Sequence, residues 1–187
     1  MLTKTEGVTR LPKNQGWHLH QNFSGFKVPR SKTERFLHKF YGDFSLSVSG
    51  SFLETSRGSL LTVSHPHRFL PFLDLQIDLV ENKMTLRYLG VSSFQRVELR
   101  DVFPSSSWTR VQVDLLGRTL LVHVDCMSGV KTTLKQAMGE IPSEAVMYVG
   151  NRAGSSNVQV IFYVEIENDI ITDTVFRLER QNFRSKD

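Results

Sequence analysis

Ser107-Trp-Thr-Arg-Val-Gln-Val-Asp-Leu-Leu-Gly-Arg-Thr-Leu-Leu-Val-His-Val-Asp-Cys126 is the stretch that decides the fold. It holds two runs rich in β-branched and aliphatic residues, joined at Leu116-Gly117-Arg118. Gly117 can take the positive φ that a tight hairpin turn asks for, and Val111, Val113 and Leu115 alternate with polar residues along the first run. The second run, Thr119 to Cys126, alternates less cleanly, as a strand does when both of its faces are partly covered. The stretch therefore predicts a β-hairpin, opened by Trp108 and closed by Cys126.

Outward from the hairpin, Phe44–Gly50, Gly58–Val63, Leu73–Leu79, Met84–Leu89, Phe94–Leu99, Ala145–Val149 and Asn157–Ile166 read as further short strands. Leu73, Leu75, Ile77 and Leu79 alternate with Asp74, Gln76 and Asp78, which predicts a half-buried strand with its carboxylates toward solvent. Glu81-Asn82-Lys83 supplies turn chemistry before Met84, because Asn tolerates left-handed backbone geometry. Many short strands with regular turns and hardly any helix predict an all-β chain built as an antiparallel β-sandwich. Residues 1–16 are polar and include Pro12 and Gly16, so they read as a flexible lead-in to one domain over 17–187. Trp17 to Phe26 reads as an edge strand, Lys131 to Met138 as a short helix or polar loop, and Thr174–Arg184 as a last strand or a frayed basic tail.

At 187 residues the chain is long enough to bury a sizeable core, and 40% hydrophobic with 22% charged residues is a globular composition. The formal charge of +4 favours polyanionic partners: a glycosaminoglycan, nucleic acid or an anionic membrane surface. No run approaches the ~20 apolar residues of a membrane span. No apolar segment of a secretory signal follows Met1-Leu2-Thr3-Lys4-Thr5, so the expectation is either a cytosolic protein or a chain lacking its signal. The lone Cys126 has no internal partner, which in a secreted chain points to intermolecular pairing, a free thiol or a missing partner.

The chemistry-bearing residues divide into three groups. Glycoside hydrolysis needs two carboxylates about 5 to 9 Å apart. Asp74 with Asp78, and Asp114 with Asp125 on the central hairpin, are the best pairs, and they read more simply as solvent-facing residues of alternating strands. No phosphate loop, nucleophile elbow or zinc-protease helix is present, so the chain is not expected to be an enzyme or to need a cofactor. The His18-Leu19-His20 and His65-Pro66-His67 pairs would each point two imidazoles one way on a strand. His123 and Asp125 could complete a zinc set, but clustering of surface histidines is the simpler account. The third group is the densest basic segment, Lys27, Arg30, Lys32, Arg35 and Lys39, opposed only by Glu34. A sulfated glycan needs several cations on one face within a Debye length, roughly 8 to 10 Å, and this segment has that density. No nucleic-acid signature accompanies it, so nucleic acid ranks last among the polyanions. Asn22-Phe23-Ser24 is an N-glycosylation sequon, meaningful in a secreted chain.

The Trp-led strand, short turn and strand ending in Val124-Asp125-Cys126 resemble the thrombospondin N-terminal-like domain of the laminin G-like group. Phe44-Ser45-Leu46 through Ser56-Arg57-Gly58-Ser59-Leu60-Leu61 is similar to that family's first core strand, Arg-Gly turn and returning strand. Phe26-Lys27-Val28 and Met147-Tyr148-Val149-Gly150 resemble its early and late strands. The likeness covers about residues 26 to 166. It implies a laminin G-like jelly roll, secreted into the extracellular matrix, that binds heparin or heparan sulfate and matrix or cell-surface proteins without catalysis. It also implies that Arg57 joins Lys27, Arg30, Lys32, Arg35 and Lys39 in a glycosaminoglycan site, and that Cys126 is a disulfide cysteine whose partner is absent from this chain. Calcium held by loop carboxylates at the sandwich rim occurs in the wider group, though no ligand set maps here. Glu54 and Thr55 stand where a heparin-binding thrombospondin carries lysines, which lowers the affinity expected at the turn. The alternatives are a carbohydrate-active enzyme on the same sandwich and an interaction or oligomerisation module that binds no glycan.

Overall fold

The computed structural model describes residues 8–10, 17–19, 26–39, 43–52, 57–67, 71–103, 109–125, 127–150 and 160–167. Their order is β1 (Val8–Arg10), β2 (Trp17–Leu19), β3 (Phe26–Lys27), α1 (Arg30–Lys39), β4 (Phe44–Phe52), β5 (Arg57–Ser64), β6 (Pro71–Asp78) and β7 (Lys83–Leu89). β8 (Phe94–Arg100), β9 (Thr109–Leu116), β10 (Thr119–Val124), β11 (Val130–Thr133), β12 (Val146–Val149) and β13 (Val160–Glu167) follow. The strands form a seven-stranded sheet, β1-β2-β13-β4-β9-β10-β11, and a six-stranded sheet, β3-β12-β5-β6-β7-β8. Every named pairing is antiparallel, so the chain is the all-β sandwich that its alternation predicts.

The opening hairpin is β9–β10, in register from Thr119↔Leu116 to Val124↔Val111. Gly117 is the first residue of its two-residue turn, at φ 57°, where a hairpin that matches the strand twist calls for glycine. Val111, Val113 and Leu115 are buried, facing Val124, Val122 and Leu120 of β10. Across the sandwich they meet the inner face of the other sheet: Leu61, Val63, Leu73, Leu75, Ile77, Met84, Leu86, Tyr88, Met147 and Val149. Trp108 and Cys126, the two ends of the stretch, lie outside the described residues.

The structure departs from expectation in three places. Residues 1–16, read as a lead-in, contain β1, which pairs with β2 at the edge of the seven-stranded sheet. Lys131 to Met138 is neither helix nor plain loop, because its start belongs to β11, paired with β10. The basic segment, in a chain expected to hold hardly any helix, is helical from Arg30. Thr33 and Phe36 are buried and Leu37 is half-buried, and this three-to-four spacing makes one apolar stripe on α1. That stripe sits against the sandwich beside β12, so burial of Phe36 supports a helix that a run of cations would not hold alone. Among the described residues no helix is long and apolar enough to cross a membrane.

Tyr88 ties the six-stranded sheet to the segment after β11. Its ring is fully buried and its hydroxyl donates to the carbonyl of Gln136 at 2.9 Å. The Gln136 side chain in turn accepts from the Ser92 backbone and hydroxyl in the β7–β8 turn, at 3.2 and 3.1 Å. A Cβ at Gly90 would lie 2.6 Å from Gln136 Oε1 and 3.0 Å from the Ser93 carbonyl, so a larger residue there would push the Gln136 amide away from its Ser92 partners. Burial raises the Tyr88 pKa, and the Arg118 charge opposes it only in part. A raised pKa means that the folded state holds the phenol proton more tightly than the unfolded chain. This contribution is whole below pH about 10 and is lost as pH climbs beyond it. Urea unfolding across that range should show the native protein losing stability more steeply than Tyr88→Phe, and equal slopes would refute the assignment.

Candidate functional site

Strand alternation sends one set of side chains of the six-stranded sheet into the core and the other outward. The register aligns the outward set into rows that cross the sheet. One row runs Lys27, Tyr148, Thr62, Asp74, Arg87 and Arg96, from β3 to β8. Six strands spaced about 4.8 Å apart make this row roughly 24 Å long. A second runs Ser59, Gln76, Thr85 and Glu98, and a third Arg57, Asp78, Lys83 and Arg100. Six outward cations (Lys27, Arg57, Lys83, Arg87, Arg96 and Arg100) thus stand among three carboxylates, Asp74, Asp78 and Glu98, of the described residues of this face.

Asp74 anchors the face. It is 2% exposed although it points outward. Its Oδ1 accepts from Ser59 Oγ at 2.7 Å and Thr62 Oγ1 at 3.1 Å, and its Oδ2 accepts from Arg87 through Nε at 3.1 Å and also through Nη2. The expectation that Asp74 faces solvent is therefore corrected. β6 lies inside the sheet, and neighbours on β5 and β7 close over the carboxylate. Arg87 is held at one edge of its guanidinium while its side chain stays 44% exposed, leaving Nη1 with no partner among the described residues. Arg96 lies directly opposite Arg87 in the β7–β8 register, pairs with Glu98 and is 60% exposed. Beside the two arginines is a depression of about 170 Å³ lined by Pro71, Arg87, Phe94, Gln95 and Arg96.

The sequence-derived basic residues are divided by the structure. Lys27 is exposed and begins the long row, and the start of α1 follows closely, since the Val28 amide donates to Met147 O at 2.8 Å. Arg30 is exposed and pairs with Glu34 at 2.6 Å. Lys32, Arg35 and Lys39 lie on α1, and at 100° per residue Lys32 is about 200° round the helix from Arg30. Arg57 is not brought to them. It pairs with Asp78 at 3.0 Å and lies five residues, about 16 Å, up β5 from Thr62. Asn22, Glu54, Thr55 and His20 lie outside the described residues.

The remaining candidates have structural partners. Asp78 accepts from the Glu81 amide at 3.1 Å and so caps the β6–β7 turn, as well as pairing with Arg57. Asp114 accepts from Ser45 Oγ and from Gln112 at 3.1 Å. Asp125 accepts from the Arg110 amide at 2.7 Å. His65 and His67 follow β5 in a turn rather than on a strand. Their ring centroids are 5.7 Å apart, and His65 Nδ1 accepts the His67 amide at 3.2 Å. Among the described residues no three His, Cys, Asp or Glu side chains gather as a metal site. Sequence reading missed Arg87, which register sets beside Arg96 and Phe94 of β8, and Tyr148, which register sets between Lys27 and Thr62. The legible signal was the period-two placement of Lys83, Arg87, Arg96 and Arg100 on one face of the β7–β8 hairpin.

Solved structures match the fold. The CBM40 of the Ruminococcus gnavus IT-sialidase bound to alpha2,3 sialyllactose matches with a TM-score of 0.63 and 12% identity, over 84% of this chain and 91% of that one. The receptor binding domain of botulinum neurotoxin C/D mosaic serotype matches with a TM-score of 0.59 and 9% identity, over 88% of this chain and 42% of that one. The botulinum neurotoxin serotype D binding domain matches at 0.54 and 10% identity, over 90% and 43%. At such identities the likeness is one of fold alone, a two-sheet antiparallel β-sandwich. No protein-family model matches the chain, and no curated protein does either.

Asp74→Ala would strip Ser59, Thr62 and Arg87 of a shared acceptor. It should cost about 2 to 3 kcal/mol in chemical denaturation, the scale of a lost charged hydrogen-bond network. Asp78→Ala, which frees the half-exposed Arg57, should cost about 1 kcal/mol or less from that ion pair. Equal losses in the two variants would mean that Asp74 does not organise the face.

Proposed function

We propose that this protein is a non-catalytic, extracellular module that binds anionic glycans across the outer face of its six-stranded sheet. The observation that carries the reading is the row from Lys27 to Arg96: exposed cations at both ends, set on a buried Asp74 network that holds the middle rigid. Pre-set donors lose less side-chain freedom on binding than free surface arginines. The sialyllactose named with the CBM40 structures supports an anionic sugar as ligand class.

The finer reading is the one that the thrombospondin N-terminal-like resemblance implies: sulfated glycosaminoglycans, with matrix or cell-surface proteins as further partners. α1 starts just beyond Lys27, so Arg30, Lys32, Arg35 and Lys39 extend the cationic track past the β3 edge of the sheet. Hydrolysis is not part of the proposal. Asp74, Asp78, Asp114 and Asp125 each accept hydrogen bonds from the protein, and none of them forms an acid–base pair with another.

Heparin chromatography tests this. Native protein should be retained, and retention should fall steeply with salt, because polyanion binding releases counterions. Combined Lys27→Ala, Arg30→Ala, Lys32→Ala and Arg35→Ala should elute far earlier. A variant with Ala at Arg177, Arg180, Arg184 and Lys186 removes the same formal charge and should elute close to native protein. Equal losses in the two variants would mean that net charge alone is being read. Incubation with a glycan panel should release no product, and cleavage abolished by Asp74→Asn or Asp78→Asn would overturn the non-catalytic reading.

A further inference from the structure

We infer that the depression between Pro71, Arg87, Phe94, Gln95 and Arg96 is a seat for one sugar residue bearing a carboxylate, at the end of the bound glycan. This rests on the glycan-binding reading above and names the chemistry of one end of that surface.

Three features carry it. The first is the placement of Arg87 and Arg96 as direct partners in the β7–β8 register, both lining the depression, where like charges repel. Asp74 takes one edge of Arg87, and Glu98 accepts from a single nitrogen of Arg96. N–H donors on both arginines are left without partners among the described residues. A planar carboxylate between them would accept from both forks and relieve the repulsion.

The second feature is the ring beside them. Phe94 is 47% exposed at the start of β8, with Pro71 across the depression, so apolar surface is offered next to the charged donors. A pyranose has the matching make-up, with an apolar C–H face and a polar rim. The third feature is local charge. Asp74 and Glu98 already balance Arg87 and Arg96, so the seat is formally neutral before a ligand arrives. That suits a monoanion recognised by directed hydrogen bonds more than a densely sulfated segment held by charge. The volume of about 170 Å³ likewise fits one ring and not a chain. Arg96 and Phe94 would touch the sugar, while Asp74 would act through Arg87 as a positioning residue.

Titration calorimetry with the intact protein tests this, using 3′-sialyllactose and a glucuronate-ended disaccharide as the two carboxylate probes. Their methyl esters, lactose and 3′-sulfolactose serve as controls. Binding is expected for at least one carboxylate probe, with loss of about tenfold or more in its methyl ester and in Arg96→Ala. Phe94→Ala should also weaken it, Arg96→Lys should not restore it because the fork is gone, and Lys131→Ala on the other sheet should leave it unchanged. Salt should matter far less than for heparin. Arg96 is 60% exposed and faces a like charge, so Arg96→Ala should melt like native protein and the loss can be read as binding. Equal binding of 3′-sulfolactose would overturn the carboxylate assignment. Carboxylate binding untouched by Arg96→Ala and Phe94→Ala would overturn the location. Heparin binding with neither carboxylate probe bound would overturn this seat and leave the wider proposal standing, whereas no binding to any of these ligands would overturn both.

Discussion

The buried carboxylate of Asp74 is the constraint on which the outward face of the six-stranded sheet depends. A charge removed from water needs compensation from several partners at once. Here Ser59 and Thr62 of β5 and Arg87 of β7 supply it from both sides of β6. The same four bonds tie the side chains of adjacent strands together on the solvent side, where a sheet otherwise has only loose polar residues. Arg87 in particular is fixed at one edge and presented at the other.

The core sets up this arrangement without determining its chemistry. Leu61, Val63, Leu73, Leu75, Ile77, Met84, Leu86 and Tyr88 fill the inner side, and burial of these large side chains is the main drive toward the sandwich. Because the side-chain period is two, fixing that face fixes the other by default. A slip of one residue between β7 and β8 would bury Arg87 or separate it from Arg96. The Gly90 turn and the Gln136 latch hold that register from outside the hairpin. Polar and apolar contributions are thus coupled: the apolar pattern chooses which face is buried, and the turn hydrogen bonds choose which outward side chains meet.

The helix between β3 and β4 shows how tertiary context overrides composition. Arg30 to Lys39 is rich in charge and has no acidic residue in its first turn to favour the helix dipole. It is helical because Phe36 and Thr33 are buried against the sandwich. A helix carries successive residues round a cylinder, so the run does not lie along one line as it would on an extended strand. Arg57, joined to this run by family resemblance, instead belongs to a row with Asp78, Lys83 and Arg100.

The sequence by itself determined the fold class, the strands from Phe44 to Ile166 other than β11, and the inward set of Val111, Val113 and Leu115. Period-two alternation and a turn glycine are local signals, and a buried face enforces them. The tertiary structure alone decided that Asp74 is buried, that Arg30–Lys39 is a helix, and that Arg87, Arg96 and Phe94 share a depression. Those outcomes depend on which strands become neighbours and in what register. Residues as distant in sequence as Lys27 and Tyr148 meet only through pairing, and one-dimensional spacing carries no record of it.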